Sequence, residues 1–463
     1  MTSLTGQDLN PLLQRLLLSN EQFDRAYPGL QVKRQPVHTL YGGANLYKSG
    51  ATQKMAGLAL RHINTYAPTF IDLALGMGFP GAETLLRDSD ADQGIAHSVY
   101  DRMLNKLQTE AVEDHRVDFE DGYGVRSDEE EDQHAIAAAQ AMAQGYKEDS
   151  LPPFIGIRIK ALTEEAKHRS IRTLDIFVSH LSELLEGNLP QPFRVTLPKV
   201  TTPEQVAVLA DCLTLLEKKC GLPTASIDIE LMIETVQSVF SQAGDCAIPM
   251  LVQAGRGRVT AAILGTFDYT ATCNIASSHQ GHLHPAADFA RQVMQVSLTG
   301  TDVALCDGIT NIMPIAPHRG EGLSEEEQQE NVDVVYAAWR VHFRNIMHSL
   351  RLGFYQSWDL NPAQLPVRYA AVYYFFLEGL SDATDRLKTF IDQAAQASMV
   401  GNTFDDAASA QGLLNFFISG INCGALTENE ALATGITLKE LHERSFLKIV
   451  ANRTNGPQIA GGN

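Results

Sequence analysis

The feature that most constrains this chain is an alternation. Short runs rich in apolar and β-branched residues recur between longer amphipathic stretches, and eight of them are candidate strands. They are "PVHTLYGG" (36–43), "HRVDFED" (115–121), "FIGIRIK" (154–160), "FRVTLPKV" (193–200), "IDIELMIET" (227–235), "RVTAAILGTFD" (258–268), "DVALCDGI" (302–309) and "SWDLNPAQ" (357–364). Between them lie helical patterns such as "TPEQVAVLADCLTLLEKKCG" (202–221), which opens on a capping Thr and closes on Gly. Strands divided by helices call for a parallel sheet with helices on its faces. Eight such units favour a closed (β/α)8 TIM barrel over an open doubly wound sheet. A further run, "TFIDLAL" (69–75), reads as a strand within an insertion. The expected division is a helical lead-in over 1–35, the barrel over 36–366, and a helical C-terminal extension or lid over 367–463.

The run 227–235 sharpens the expectation. In a strand, Ile227, Ile229, Leu231 and Ile233 share one face, and Asp228, Glu230, Met232 and Glu234 the other. In a barrel the isoleucine face packs under the helices and the carboxylate face points inward. Buried carboxylates are costly unless paired or metal-bound, and Arg158, Lys160 and Lys199 are the candidate cations. Most runs also end in charge: Glu120 and Asp121, Arg158 and Lys160, Lys199, Glu234, Asp268, Asp307. Barrel enzymes place their chemistry at those strand ends.

Glu234 and Asp268 end adjacent strands in this reading. Side by side without a cation, one would be forced to hold a proton. A hard ion resolves the conflict, because Mg2+ takes one or two carboxylates and keeps its other positions for water and substrate oxygens. Such a site suits a 2-oxo acid and an enolate derived from it. The bland alternative is a carboxylate pair bound to local lysines or backbone amides. Arg158 is placed to grip a substrate carboxylate in a forked geometry, or to form an interior salt bridge with Glu230 or Asp118. The cluster from Asp118 to Asp121 is placed to hydrogen-bond metal-held waters.

These motifs, in this order, resemble the HpcH/HpaI aldolase and citrate lyase β-subunit family, with malyl-CoA lyase, in the phosphoenolpyruvate/pyruvate barrel superfamily. The likeness runs through "TLYGGANLYKS" (39–49), "VDFEDGYG" (117–124), "IRIKAL" (157–162), Leu197 to Val200, "LMIET" (231–235), "LGTFDYT" (264–270), "ALCDGI" (304–309) and "GFYQSWDLNPAQ" (353–364). It implies Mg2+ on Glu234 and Asp268, Arg158 as carboxylate or enolate clamp, and Glu120 and Asp121 around them. It also implies an aspartate from a C-terminal lid, for which "NTFDDAA" (402–408) offers Asp405 or Asp406. The implied activity is carbon–carbon lyase or aldolase chemistry on a small anionic 2-oxo acid or an acyl-CoA thioester, in a homo-oligomer. The family's Pro-Gly turn, R-x-N asparagine and late histidine stand here as Gly42–Gly43, Lys160 and Asn361, in the part that would serve the thioester. A CoA-free aldolase and a catalytically silent regulatory barrel are the alternatives.

The remaining features narrow the partners. A formal net charge of −19 argues against nucleic acid or an anionic membrane, both of which need a basic surface. The six cysteines show no C-x-x-C spacing and read as reduced thiols. Neither a signal peptide nor an apolar run of membrane-spanning length is seen, so the cytoplasm is expected. His279, His282 and His284 in "SSHQGHLHP" (277–285) lack metal-site spacing and read as a loop at the mouth. His38 is a candidate proton shuttle, and Lys199 a candidate interior charge.

Overall fold

The computed structural model describes residues 3–30, 32–87, 94–392, 398–400, 403–405, 407–443 and 446–455. Eight parallel strands close in sequence order into a barrel. They are β1 (His38–Gly43), β2 (Asp114–Asp118), β3 (Phe154–Arg158), β4 (Phe193–Leu197), β5 (Ile227–Ile233), β6 (Val259–Leu264), β7 (Ala304–Asp307) and β8 (Gln356–Asp359). The eighth pairs back onto the first through His38 opposite Ser357 and Leu40 opposite Asp359. The expected (β/α)8 barrel is the fold, and each of the eight runs holds one strand.

Period-two patterning explains the layers. Ile227, Ile229, Leu231 and Ile233 pack outward with residues of the surrounding helices, including Leu209 and Leu213 of the helix Pro203–Cys220. Met232 turns inward to a small apolar cluster with Ile263 and Cys306, against which Tyr41 and Trp358 rest. Below that cluster the lumen is polar: Glu230 accepts from Tyr41 Oη at 3.0 Å and Thr196 Oγ1 at 2.8 Å and lies 3.5 Å from Arg116. Arg116 also pairs with Asp114. The cation for Glu230 is therefore Arg116, rather than Arg158, Lys160 or Lys199.

Two local expectations fail for identifiable reasons. "TFIDLAL" lies in a helix, Phe70–Met77, because Thr69 and Asp72 form a reciprocal capping box and Gly78 closes the end in a left-handed conformation. β6 stops at Leu264, and Asp268 sits in the first turn of a helix, Thr266–Thr272. Strand-end charge does not always gather at the mouth either. Asp307 is buried on Arg291 Nε at 2.8 and 2.9 Å, under the helix Pro285–Leu298. Asp359 is likewise clamped by Arg368, at 3.0 and 2.7 Å, which docks the long helix Leu365–Asp392 onto β8.

Helix α1 (Gly6–Ala26) buries none of its residues in the rest of the chain. At the other end, a short antiparallel ribbon, β9 (Ser398–Val400) and β10 (Thr403–Asp405), precedes the helix Ala407–Asn422. Among the described residues, no helix is long and apolar enough to cross a membrane.

Candidate active site

The C-terminal ends of β1, β2, β3 and β8 and the segments after β6 and β7 meet around a cleft of about 430 Å3, lined among others by Tyr41, Asp118, Asp121, Arg158, Asp268 and Trp358. Arg158 is almost fully buried, yet its guanidinium has three fixed surroundings. Asp118 grips it in a fork, with Nε to Oδ1 at 2.7 Å and Nη2 to Oδ2 at 2.5 Å. Its Nη1 lies 3.2 Å from Glu120. The rings of Tyr41 and Trp358 lie 4.9 and 5.3 Å from its central carbon, within cation–π range. Asp118 accepts in addition from the backbone N–H groups of Glu120 at 3.0 Å and Gly122 at 2.8 Å. The expected ion pair of Arg158 with Asp118 thus exists, and the arginine lines the cleft as well.

Glu234 follows β5 and is buried. One of its oxygens accepts the backbone N–H of Lys199 at 2.5 Å. Its other oxygen lies against Gly265, where a Cβ would stand 2.4 Å away, so only glycine lets the carboxylate lie there. Burial pushes the Glu234 carboxyl up to about 7; Lys199 opposes the shift and the nearby Asp268 charge adds to it. Lys199 adopts a left-handed φ of 51°, and its Nζ reaches Glu120 closely and Asp121 at 3.0 Å. Burial raises the Glu120 carboxyl too, against the pull of Arg158 and Lys199.

Glu234, Asp268, Arg158, Glu120 and Asp121 therefore stand in one cluster. The side chain of Asp405, and Asp406 altogether, lie outside the described residues. Sequence reasoning missed Tyr41, although its place two residues before Gly43 on the inward face of β1 was readable. It also missed the role of the Lys199 main chain, for which a lysine with positive φ carries no sequence signal.

The histidines lie elsewhere. His38 heads β1, at the end of the barrel away from the cleft, where its Nε2 accepts from the Glu113 N–H at 3.2 Å. Burial lowers it to about 4, so it stays neutral, and the proton-shuttle expectation fails on position. His282 contacts Ser349 and Asp307, and His284 caps the helix Pro285–Leu298. Among the described residues, no group of three or more His, Cys, Asp or Glu side chains is arranged to hold a metal.

The model of a family described as a domain of unknown function, DUF6986, matches residues 16–449. The chain belongs to the DUF6986 family. No curated protein matches its sequence. Among solved structures, a citrate lyase from Burkholderia xenovorans LB400 is similar with a TM-score of 0.53 and 16% identity, over 73% of this chain and 92% of that one. CitE from Mycobacterium tuberculosis, in complex with magnesium, acetoacetate and coenzyme A, gives 0.47 at 15% identity, over 85% of this chain and 99% of that one. Haloferax volcanii malate synthase gives 0.41 at 13% identity, over 77% and 86%. At these identities the citrate lyase shows a shared fold. The resemblance read from the motifs is thus matched at the level of the barrel.

Proposed function

We propose that this DUF6986 protein is a Mg2+-dependent carbon–carbon lyase or aldolase that works through an enolate of a small 2-oxo acid or hydroxy-acyl substrate. The observation that supports the reading is a cleft lined by Asp268 and Arg158, with the Asp268 charge acting on the buried Glu234 behind it. Burial, with the Asp268 charge adding to it and Lys199 opposing, raises the Glu234 carboxyl to about 7, and a further cation would favour its ionised form. Both donors offer only oxygen, which fits a hard divalent ion and not a soft one. When bound, Mg2+ supplies the positive charge against which a substrate carboxylate, its neighbouring carbonyl and the enolate oxygen are stabilised.

The protein's own groups do the rest. The outward N–H groups of Arg158 hold a substrate carboxylate or oxyanion, while Asp118, Tyr41 and Trp358 fix the plane of the fork. Lys199 ties Glu120 and Asp121 at the rim, where they hydrogen-bond and orient water around the carboxylate pair. Asp405 is proposed to move a proton from the C-terminal ribbon. The citrate lyase that shares this barrel supports the reaction class.

Between the two acceptor classes, the CoA-free aldolase has an observation in its favour. Lys160 is spent on the Phe119 carbonyl at 2.6 Å and Glu131 at 2.8 Å, and Asn361 on the Ala363 N–H at 2.9 Å. Positions where the motif pattern departs are thus committed to holding the frame.

Enolate formation is measurable without knowing the other substrate. Pyruvate incubated in D2O with the protein and Mg2+ should lose its methyl proton signals by NMR. Glu234→Gln should stop the exchange, as should rigorous chelation. Absence of exchange with both pyruvate and oxaloacetate, in a protein shown by calorimetry to bind Mg2+, would leave the barrel without this chemistry.

A further inference from the structure

Helix α1 carries an apolar stripe of which no residue is buried among the described residues. Leu9, Leu12, Leu13, Leu16 and Leu17 recur at i, i+3, i+4, i+7 and i+8, and Phe23 continues the same face. All but Leu9 are about half exposed or more. Such a stripe leaves on the order of 500 Å2 of apolar surface open, at the upper end of what a monomer tolerates. Another open apolar face lies on the barrel's coat. There Phe240 and Phe289 stack with ring centres 6.1 Å apart, and Met250 and Val296 are exposed with them. Phe289 and Val296, seven residues apart, share one side of the helix Pro285–Leu298.

The root of α1 meets the end of that helix. The Gly29 N–H donates to the Gly300 carbonyl at 2.9 Å, just past the end of that helix, and Tyr27 rests on Gly300. We propose that a second copy of this chain covers both faces, with α1 of each copy seated on the Phe240–Met250–Phe289–Val296 face of the other. A two-fold pair makes the contact twice, since what one copy offers the other receives. Counting both surfaces of both contacts, the exchange passes the ~1,200 Å2 of a stable interface.

Charge selects this occupant over a lipid surface. Membrane-lying helices carry Lys and Arg along the polar face. α1 has three acidic residues, Asp8, Glu21 and Asp24, against Arg15 and Arg25, in a chain of net charge −19. Arg25 is already engaged with Glu21. The receiving side chains are uncharged, which suits an apolar stripe with a near-neutral flank.

Sedimentation velocity on the full chain tests the idea. The protein should run as a dimer at micromolar concentration. Leu13→Asp/Leu16→Asp and, separately, Phe289→Asp/Val296→Asp should each run as monomers with unchanged circular dichroism. Mixing the two monomeric variants should restore a dimer, weaker by 10-fold or more, because one of the two contacts is intact. A monomeric parent protein, bound back on itself, overturns the proposal. So does a dimer that survives the Phe289/Val296 change but not the Leu13/Leu16 change, which would mean that α1 pairs with α1.

Discussion

Glu230 and Glu234 lie four residues apart on the same inward face of one stretch of chain, and both are buried. Their surroundings nevertheless push them in opposite directions. At Glu230, burial is outweighed by Arg116, Arg194, Thr196 and Tyr41, and the carboxyl stays below its ordinary value. At Glu234, burial dominates, the Lys199 charge opposes it only in part, and Asp268 works against ionisation. In the lower layer Glu230 is held ionised by its neighbours, whereas in the upper one the Lys199 charge only partly offsets the burial of Glu234.

The largest effect that separates the layers should appear in catalysis. Glu234→Gln and Asp268→Asn are expected to cut kcat/KM by roughly 10³-fold or more, the scale for removing an essential electrostatic group. Thermal unfolding of the metal-free protein should show no loss of stability, and a gain for Glu234→Gln above about pH 7. Equal loss of stability in these variants would erase the distinction between the two layers.

The converse substitution acts on folding. Glu230→Ala leaves Arg116 short of a buried partner, and breaking such a pair costs about 3–5 kcal/mol. Urea titration should register that loss. If the midpoint stays put, the lower network is not what closes the barrel's interior.

A pH series then separates them without mutation. The Glu234 carboxyl is raised from 4.5 to about 7 in the folded chain. Below its unfolded value both states hold the proton. As pH rises from 4.5 the unfolded chain releases it first, so stability falls and the loss is complete above about 7. For the metal-free protein the cost is on the order of 3 kcal/mol. Glu234→Gln should flatten this part of the profile, and Mg2+ should raise Tm more at about pH 8 than at about pH 5.5, because it binds the ionised pair. An identical Mg2+ shift at both values would remove Glu234 as the linked group.

Much of this architecture is legible in the sequence. Period-two alternation in 227–235 tells inward from outward residues, and cap-to-cap helices between eight runs call for a barrel. What escapes the linear pattern is the direction of charge at strand ends. Asp307 and Asp359 resemble mouth residues there, but Arg291 and Arg368 from later helices draw them outward. Pairing across such separations is set by packing, which local periodicity does not encode. The same holds for "TFIDLAL", where a capping box overrides a β-like composition, and for Asp268, which reaches the cluster from a helix.

The smallest effect isolates the rim of the upper layer. Lys199 serves it twice, through its backbone N–H on Glu234 and through its Nζ on Glu120 and Asp121. Lys199→Met keeps the main-chain donor and the same left-handed backbone demand, while releasing the two outer carboxylates. Loss of such outer contacts weakens metal sites by about 10–100-fold, and the lower end applies here because Asp121 is exposed. Calorimetry should therefore give a Mg2+ affinity about tenfold weaker in this variant. Lys199→Gly loses the same side chain but relaxes the φ of 51°. If glycine and methionine weaken Mg2+ equally while glycine alone raises Tm, the side-chain and main-chain roles of this one residue are separate. If neither changes Mg2+ affinity, Glu120 and Asp121 belong with the closed lower network.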